Sequence, residues 1–251
     1  MSPTLDPSRI RRLHLGHFTR PKEEPGGLRK VVASAFLIDH PSGMVLFDTG
    51  IGTGHEEANQ LYHPVSVPLP EVLARAGLRV DDVAVVANCH LHLDHCGGNP
   101  LFAGVPIFAQ RLEFETARGD WDYTQPDLIE FEGAAYELHE GEADVAPGIR
   151  LMPTPGHVPG HQSMMVETTA GPVILAGQAF DSASEYASGL LALRAGPNDP
   201  GGTPATPEWL QVFAALDPYR VLFAHDLVEW ERPSDRSIAW DVGSTDGLER
   251  T

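Results

Sequence analysis

With 42% apolar residues in 251, the chain has enough material for one large layered core, and with no composition break residues 1–251 are expected to fold as a single domain. Thirty-five acidic against 17 basic residues give a formal charge of −18, a surface that repels phosphate backbones and argues against nucleic acid as a partner. No apolar run is long enough to span a membrane, and two cysteines exclude a disulfide framework. The opening stretch Met1 to Pro7 lacks the basic-then-apolar pattern of a secretory signal, so the expected compartment is the cytoplasm.

In chain order, a first strand is expected around Ile10 to Leu15, followed by a Gly/Pro/charge-rich loop from Arg20 to Gly27 that could border a pocket. Lys30 to Ile38 and Met44 to Phe47 read as a hairpin turning through Asp39 to Gly43. Asp48-Thr49-Gly50 ends it, either as a plain turn or with its carboxylate bracing a neighbouring loop. Gly52 to Pro68 reads as irregular, with His55 and His63 as solvated loop histidines. Pro70 to Gly77 has proline in its first turn and glycine at its end, which predicts a short helix. Val83 to Ala87 is a short, β-branched run that reads as a buried, parallel strand.

Beyond the next helical turn (Asn99 to Gly104), the pattern predicts a strand at Val105 to Ala109 and a helix at Gln110 to Arg118. Gly119 to Glu140, with Trp121, Tyr123, Phe131 and Tyr136, reads either as a lid or as an ordinary surface excursion. Strands follow at Ile149 to Pro153, Gln162 to Glu167 and Pro172 to Ala176, and Ser182 to Pro204 reads as loop or broken helix. Thr206-Pro207-Glu208 starts a helix through Leu216, with threonine as cap, and Val221 to Ala224 is a last strand delivering His225-Asp226. Strands alternating with helices, and histidines where strands stop, predict a layered α/β architecture with its site at one strand-end edge.

The densest chemistry follows the Val83 strand, where His90, His92, Asp94 and His95 fall within six residues. If the strand continues, residues i, i+2 and i+4 share a face, so His90, His92 and Asp94 lean one way, and Gly97-Gly98 lets the chain turn to bring in His95. Imidazole and carboxylate together suit a borderline cation such as Zn²⁺. A second cluster, Thr154-Pro155-Gly156-His157-Val158-Pro159-Gly160-His161, is stiffened by its prolines. Cys89 and Cys96 read as small buried residues rather than nucleophiles, and no Gly-x-Ser-x-Gly elbow is present.

The series His90-x-His92-x-Asp94-His95, Gly156-His157, Gly177-x-Ala179 and Ala224-His225-Asp226 resembles the metallo-β-lactamase superfamily, and Asp48-Thr49-Gly50 matches that family's early strand end. The Thr154 to Ser163 and His95 to Asn99 stretches are similar to the N-acyl-homoserine lactonase branch. The resemblance implies a four-layer αβ/βα sandwich. It also implies one zinc on His90, His92 and His157, a second on Asp94, His95 and His225, and a supporting role for His161. Two positions depart from the pattern. The family's bridging aspartate falls on Gln178, which offers one neutral oxygen, and the branch's tyrosine three residues on is Asp181. One or two zinc ions per chain both stay open, as do a substitute-ligand and an unrelated role for Asp181.

The chemistry that follows is hydrolysis: Zn²⁺ lowers the pKa of bound water to about 7, and the hydroxide attacks a carbonyl. Asp94 is the natural group to carry a proton to the leaving atom, and Asp181 is the other candidate catalytic carboxylate. The expected partner is a small lactone or ester. The alternatives are a thioester or β-lactam hydrolase, or a metal-binding protein with weak or no catalysis because of Gln178. A homodimer is the assembly left open.

Overall fold

The computed structural model describes residues 4–24, 27, 29–120, 122–195 and 207–226. Its first half contributes β1 (Ile10–Thr19), β2 (Lys30–His40), β3 (Gly43–Phe47), α1 (Glu56–Tyr62), β4 (Val65–Ser66), α2 (Leu69–Arg75), β5 (Val83–Ala87), the single-turn α3 (Leu93–Cys96), β6 (Pro106–Gln110), α4 (Arg111–Gly119), α5 (Pro126–Ile129) and β7 (Ala135–His139). The second half adds β8 (Ala143–Ala146), β9 (Ile149–Pro153), β10 (Gln162–Val166), β11 (Val173–Leu175), α6 (Ala183–Ala195), α7 (Glu208–Ala214) and β12 (Val221–Leu222).

The strands form a seven-stranded sheet, β4-β1-β2-β3-β5-β6-β7, and a five-stranded sheet, β12-β11-β10-β9-β8. β5 pairs in parallel with β3 and β6, as its short β-branched run implies. Between the sheets, Phe36, Ile38, Val45 and Phe47 of the first meet Leu151, Met164, Val166 and Leu175 of the second. The outer face of the first sheet is covered by Leu69, Val72 and Leu73 of α2, and that of the second by Ala183 and Tyr186 of α6 with Leu210 and Phe213 of α7. Helix, sheet, sheet, helix is the expected four-layer αβ/βα sandwich, and it explains why β2 is buried along nearly its whole length. Among the described residues, no helix is long and apolar enough to cross a membrane.

Several elements differ from the sequence pattern. Gly52 to Pro68 is not irregular: it holds α1 and the edge strand β4, which pairs with β1. α1 buries only Ala58, so its residues carry no apolar stripe for a sequence reading to find. His63 is exposed as expected, but His55 is half-buried, 3.7 Å from Asp127. Ser182 to Ala195 is not broken: α6 runs through Gly189, where an added Cβ would sit 3.0 Å from the Phe180 ring, so the glycine serves close packing. Residues 196–204, the expected Thr206 cap and Trp121 lie outside the described residues. The Gly119 to Glu140 stretch divides, with Tyr123 lining a cavity and β7 completing the sheet beside β6. β8 has no counterpart in the sequence reading.

Candidate metal centre

Five strand ends meet at one edge of the sandwich. β3 ends on Asp48, which takes a left-handed backbone (φ 67°) that aspartate tolerates better than most residues. Its two carboxylate oxygens are spent on the neighbouring loop: Oδ1 accepts the Cys89 N–H at 2.8 Å and Oδ2 the His95 Nδ1–H at 2.9 Å. The bracing role for this carboxylate is therefore what the geometry provides. Asn88 and Asn99 join each other through Nδ2–H···Oδ1 at 2.9 Å, and Asn88 Nδ2 donates to the His95 carbonyl.

The histidine loop is not a strand continuation. His90 and His92 lie on the irregular link after β5, and Asp94 and His95 lie in the turn α3, so Asp94 faces His95 and His225 rather than lining up with His90 and His92. Gly97 has ordinary helical angles and makes no sharp turn. Its missing Cβ would fall 1.8 Å from Gly52 N, so it is needed for the close approach of the 50–52 segment. Gly97 N–H donates to the Gly50 carbonyl and Gly52 N–H to that of Leu93, both at 2.9 Å.

Three donor groups result among the described residues: Cys89 with His90 and His95, all buried; His90, His92 and His157; and Asp94, His95 and His225. His90 Nε2 lies 2.9 Å from His92 Nδ1, which lies 3.1 Å from His157 Nε2. Beside it, His95 Nε2 lies 3.3 Å from His225 Nε2, and Asp94 Oδ2 is 3.4 and 3.6 Å from these two nitrogens. The His90 and His95 rings, 4.2 Å apart, join the groups. His225 donates its Nδ1–H to the Val32 carbonyl at 2.6 Å, and His95 gives its own to Asp48, so both Nε2 atoms turn toward Asp94. Two nitrogens and a carboxylate oxygen facing one another require a positive charge between them. Around a tetrahedral ion with bonds of about 2.0–2.1 Å, ligand atoms stand roughly 3.3 Å apart. The contacts of 2.9–3.6 Å fit that spacing.

The electrostatics set His95 and Asp94 apart from the other imidazoles, His225 included, whose pKa burial lowers. Burial lowers His92 to about 4 and His157 to about 3, and drives His90 well below the imidazole value, so these rings are neutral lone-pair donors. Burial opposes charge on His95 too, but the Asp94 and Asp48 carboxylates around it hold its pKa well above the ordinary one. Burial likewise opposes a charged Asp94, yet His95, His225 and His92 keep its carboxyl far below the usual range. A cavity of about 420 Å³ opens over the groups, with His92, Asp94 and His157 in its wall beside Phe18, Ile51, Tyr62 and Leu93.

The metallo-beta-lactamase superfamily model matches residues 28–227 of this sequence. The chain belongs to that superfamily. An N-acyl homoserine lactonase of Bacillus sp is 34% identical over 164 residues, 60% of this chain and 65% of that protein. The chain therefore spans about 65% of the length of the Bacillus relatives it matches. An N-acyl homoserine lactonase from Agrobacterium fabrum is 31% identical over 222 residues, 78% of this chain and 80% of the relative. Among solved structures, a quorum-quenching N-acyl homoserine lactone hydrolase superposes with a TM-score of 0.72 at 27% identity, covering 90% of this chain and 95% of its own. Another, with N-hexanoyl-L-homoserine at its catalytic metal centre, gives 0.71 at 25%, covering 90% and 95%.

Six of the eight sequence-expected site residues fall in the two donor groups without cysteine, and the remaining two lie beside them. Gln178 and Asp181 both line the cavity. Gln178 Nε2 donates to Asp181 Oδ1 at 2.9 Å, while Asp181 Oδ2 pairs with Arg20 and Arg29, each at 2.8 Å. His161 is fully buried, its Nδ1 2.8 Å from Thr154 Oγ1 and its Nε2 accepting the Gln178 N–H at 3.0 Å, which leaves no nitrogen for a metal. Cys89 and Cys96 are both buried, and desolvation keeps both thiols protonated, Cys96 pushed up to about 12. Sequence reasoning missed Glu113 on α4, whose Oε1 accepts the Leu91 N–H at 2.8 Å and the Tyr123 hydroxyl at 2.5 Å. The Tyr123 ring in turn packs 4.5 Å from that of His92. No local motif marks Glu113; only its packing against the loop reveals it.

Proposed function

We propose that this chain is a metal-dependent hydrolase that opens a small lactone of the N-acyl homoserine lactone class. The observation that carries the reading is the convergence of six donors, from three separated stretches of chain, against one cavity of about 420 Å³. That volume suits a small acylated ring. Relatives named N-acyl homoserine lactonases support the substrate class, as does the related hydrolase holding N-hexanoyl-L-homoserine at its metal centre.

His90, His92 and His157 would hold one cation and Asp94, His95 and His225 a second, with Zn²⁺ the metal best matched to imidazole and carboxylate. When bound, zinc supplies Lewis acidity and a water that ionises near neutral pH. The chain's own side chains do the rest. Phe18, Ile51, Tyr62 and Leu93 cover the acyl portion and exclude water. Tyr62, whose phenol burial and Glu24 push up to about 12, keeps its proton and donates it to Glu24 Oε1 at 3.4 Å, which fixes its ring in the cavity wall. Asp94 accepts the proton released as water adds to the acyl carbon. It returns that proton to the ring oxygen as the acyl–oxygen bond breaks, leaving a hydroxy acid.

The test is zinc-loaded protein incubated with N-hexanoyl homoserine lactone, followed by mass spectrometry for addition of one water. Ring opening is expected. No turnover across a range of acyl lengths would overturn the substrate class. Gln178 favours one second reading, a metal-binding protein with weak or no catalysis, because a neutral amide cancels less cation charge than a carboxylate. Extending the panel to esters, thioesters and β-lactams separates the two, since that reading expects bound zinc and no hydrolysis of any of them.

A further inference from the structure

Gln178 and Asp181 form a polar unit that the donor groups do not include. Asp181 is gripped from one side by the guanidinium groups of Arg20 and Arg29, both at 2.8 Å from Oδ2. Paired with two cations, the carboxylate is an acceptor only, so the amide facing its Oδ1 at 2.9 Å has to present its NH₂. The amide oxygen is thereby turned the other way. Among the described residues, Gln178 Oε1 takes no hydrogen bond, and it is not sealed from the cavity that Gln178 lines. The backbone that carries this side chain is held from two directions. Gln178 N–H donates to His161 Nε2 at 3.0 Å, and the Gly177 carbonyl accepts Ala224 N–H at 2.9 Å, next to His225. Gly177 itself admits no Cβ, which would meet Cys89 Sγ at 2.8 Å. The amide therefore stands between the His157 loop and the strand end carrying His225.

We propose that Asp181 is a positioning residue: braced by Arg20 and Arg29, it fixes the Gln178 amide so that Oε1 is offered as a neutral oxygen donor to a divalent cation at the centre. This rests on the metal-centre reading given above. Asp181 then neither binds metal nor touches substrate; its charge is already spent on the two arginines and the amide. The oxygen it aims is of the amide type that hard and borderline cations accept, and it adds no negative charge.

Zinc affinity, measured by competition against a chromophoric chelator, tests the arrangement on wild type, Gln178→Leu, Asp181→Asn and the double variant. Gln178→Leu is expected to weaken one bound ion roughly tenfold or more, and Asp181→Asn to weaken the same ion by roughly tenfold. Adding Asp181→Asn to Gln178→Leu is expected to change nothing further, which a merely structural role would not produce. Unchanged affinity in Gln178→Leu, or an Asp181→Asn effect that persists in the leucine background, overturns the proposal while leaving the centre standing. Wild type that binds no zinc overturns the centre and this proposal together. Should Asp181→Asn fail to fold by circular dichroism, zinc-edge X-ray absorption on Gln178→Leu decides. Loss of one oxygen neighbour is expected, and an unchanged oxygen count overturns the assignment.

Discussion

The two donor groups without cysteine stand side by side and are held by different physics. His90, His92 and His157 are neutral imidazoles, His92 and His157 in the cavity wall and His90 fully buried, and desolvation keeps protons off them. In the second group Asp94 and His95 carry charge, while burial keeps His225 neutral. His95 and His225 are buried, and each has its outer nitrogen tied down, to Asp48 and to the Val32 carbonyl. A metal entering the first group meets free lone pairs, whereas one entering the second has to displace the proton that keeps Asp48, His95 and Asp94 together. Preorganisation is thus a property of the charged group, and openness of the neutral one.

The largest expected effect breaks the charged group alone. Asp94→Asn removes both the proposed anionic donor and the proposed proton carrier, so lactone turnover is expected to fall by roughly 10²–10⁴, with zinc expected to stay on His90, His92 and His157. Metal analysis beside the rate separates this from loss of the whole centre. Next is Asp48→Asn, which tolerates the left-handed backbone yet leaves the buried His95 without its anion. The metal-free chain is expected to lose about 3 kcal/mol in urea unfolding, and the zinc-loaded chain less, because the metal replaces the proton.

The pH dependence of the metal-free chain sharpens the contrast. His92 and His157 have folded pKa values near 4 and 3 against 6.5 unfolded, so the unfolded chain binds more protons as pH drops below about 6.5 and stability falls on the acid side. His95 runs the other way. Its raised pKa contributes stability fully present below 6.5 and lost as pH rises through the folded value. Melting temperature against pH is expected to show both arms, and His92→Gln to flatten only the acid one. The smallest effect is expected from Tyr123→Phe, which removes the hydroxyl from Glu113 but keeps the ring on His92. About 1 kcal/mol of stability and unchanged zinc affinity are expected from calorimetry and chelator titration.

The local part of this protein was legible in the residues. Val83 to Ala87 read as a short buried strand and is one at Val83, Val86 and Ala87, with Ala84 exposed, and the spacing of His90, His92, Asp94 and His95 supplied ligand chemistry whatever their final geometry. The layered architecture followed from alternating strands and helices, whereas α1 and β8 escaped because neither carries a strong apolar pattern.

What the chain order determined was which donors exist and roughly where strands release them. Which donor faces which was decided by packing. Asp94 joins His225, 131 residues away, because α3 turns it from the strand direction, and His225 presents Nε2 because Val32, on β2, takes its other nitrogen. Glu113 and Asp48 act across separations of 22 and 47 residues, and the Asp181–Gln178 pair forms through a backbone turn. Periodicity reports only on neighbours along the chain, while the orientation of an imidazole is set by whichever carbonyl or carboxylate the folded sheets bring against its far side.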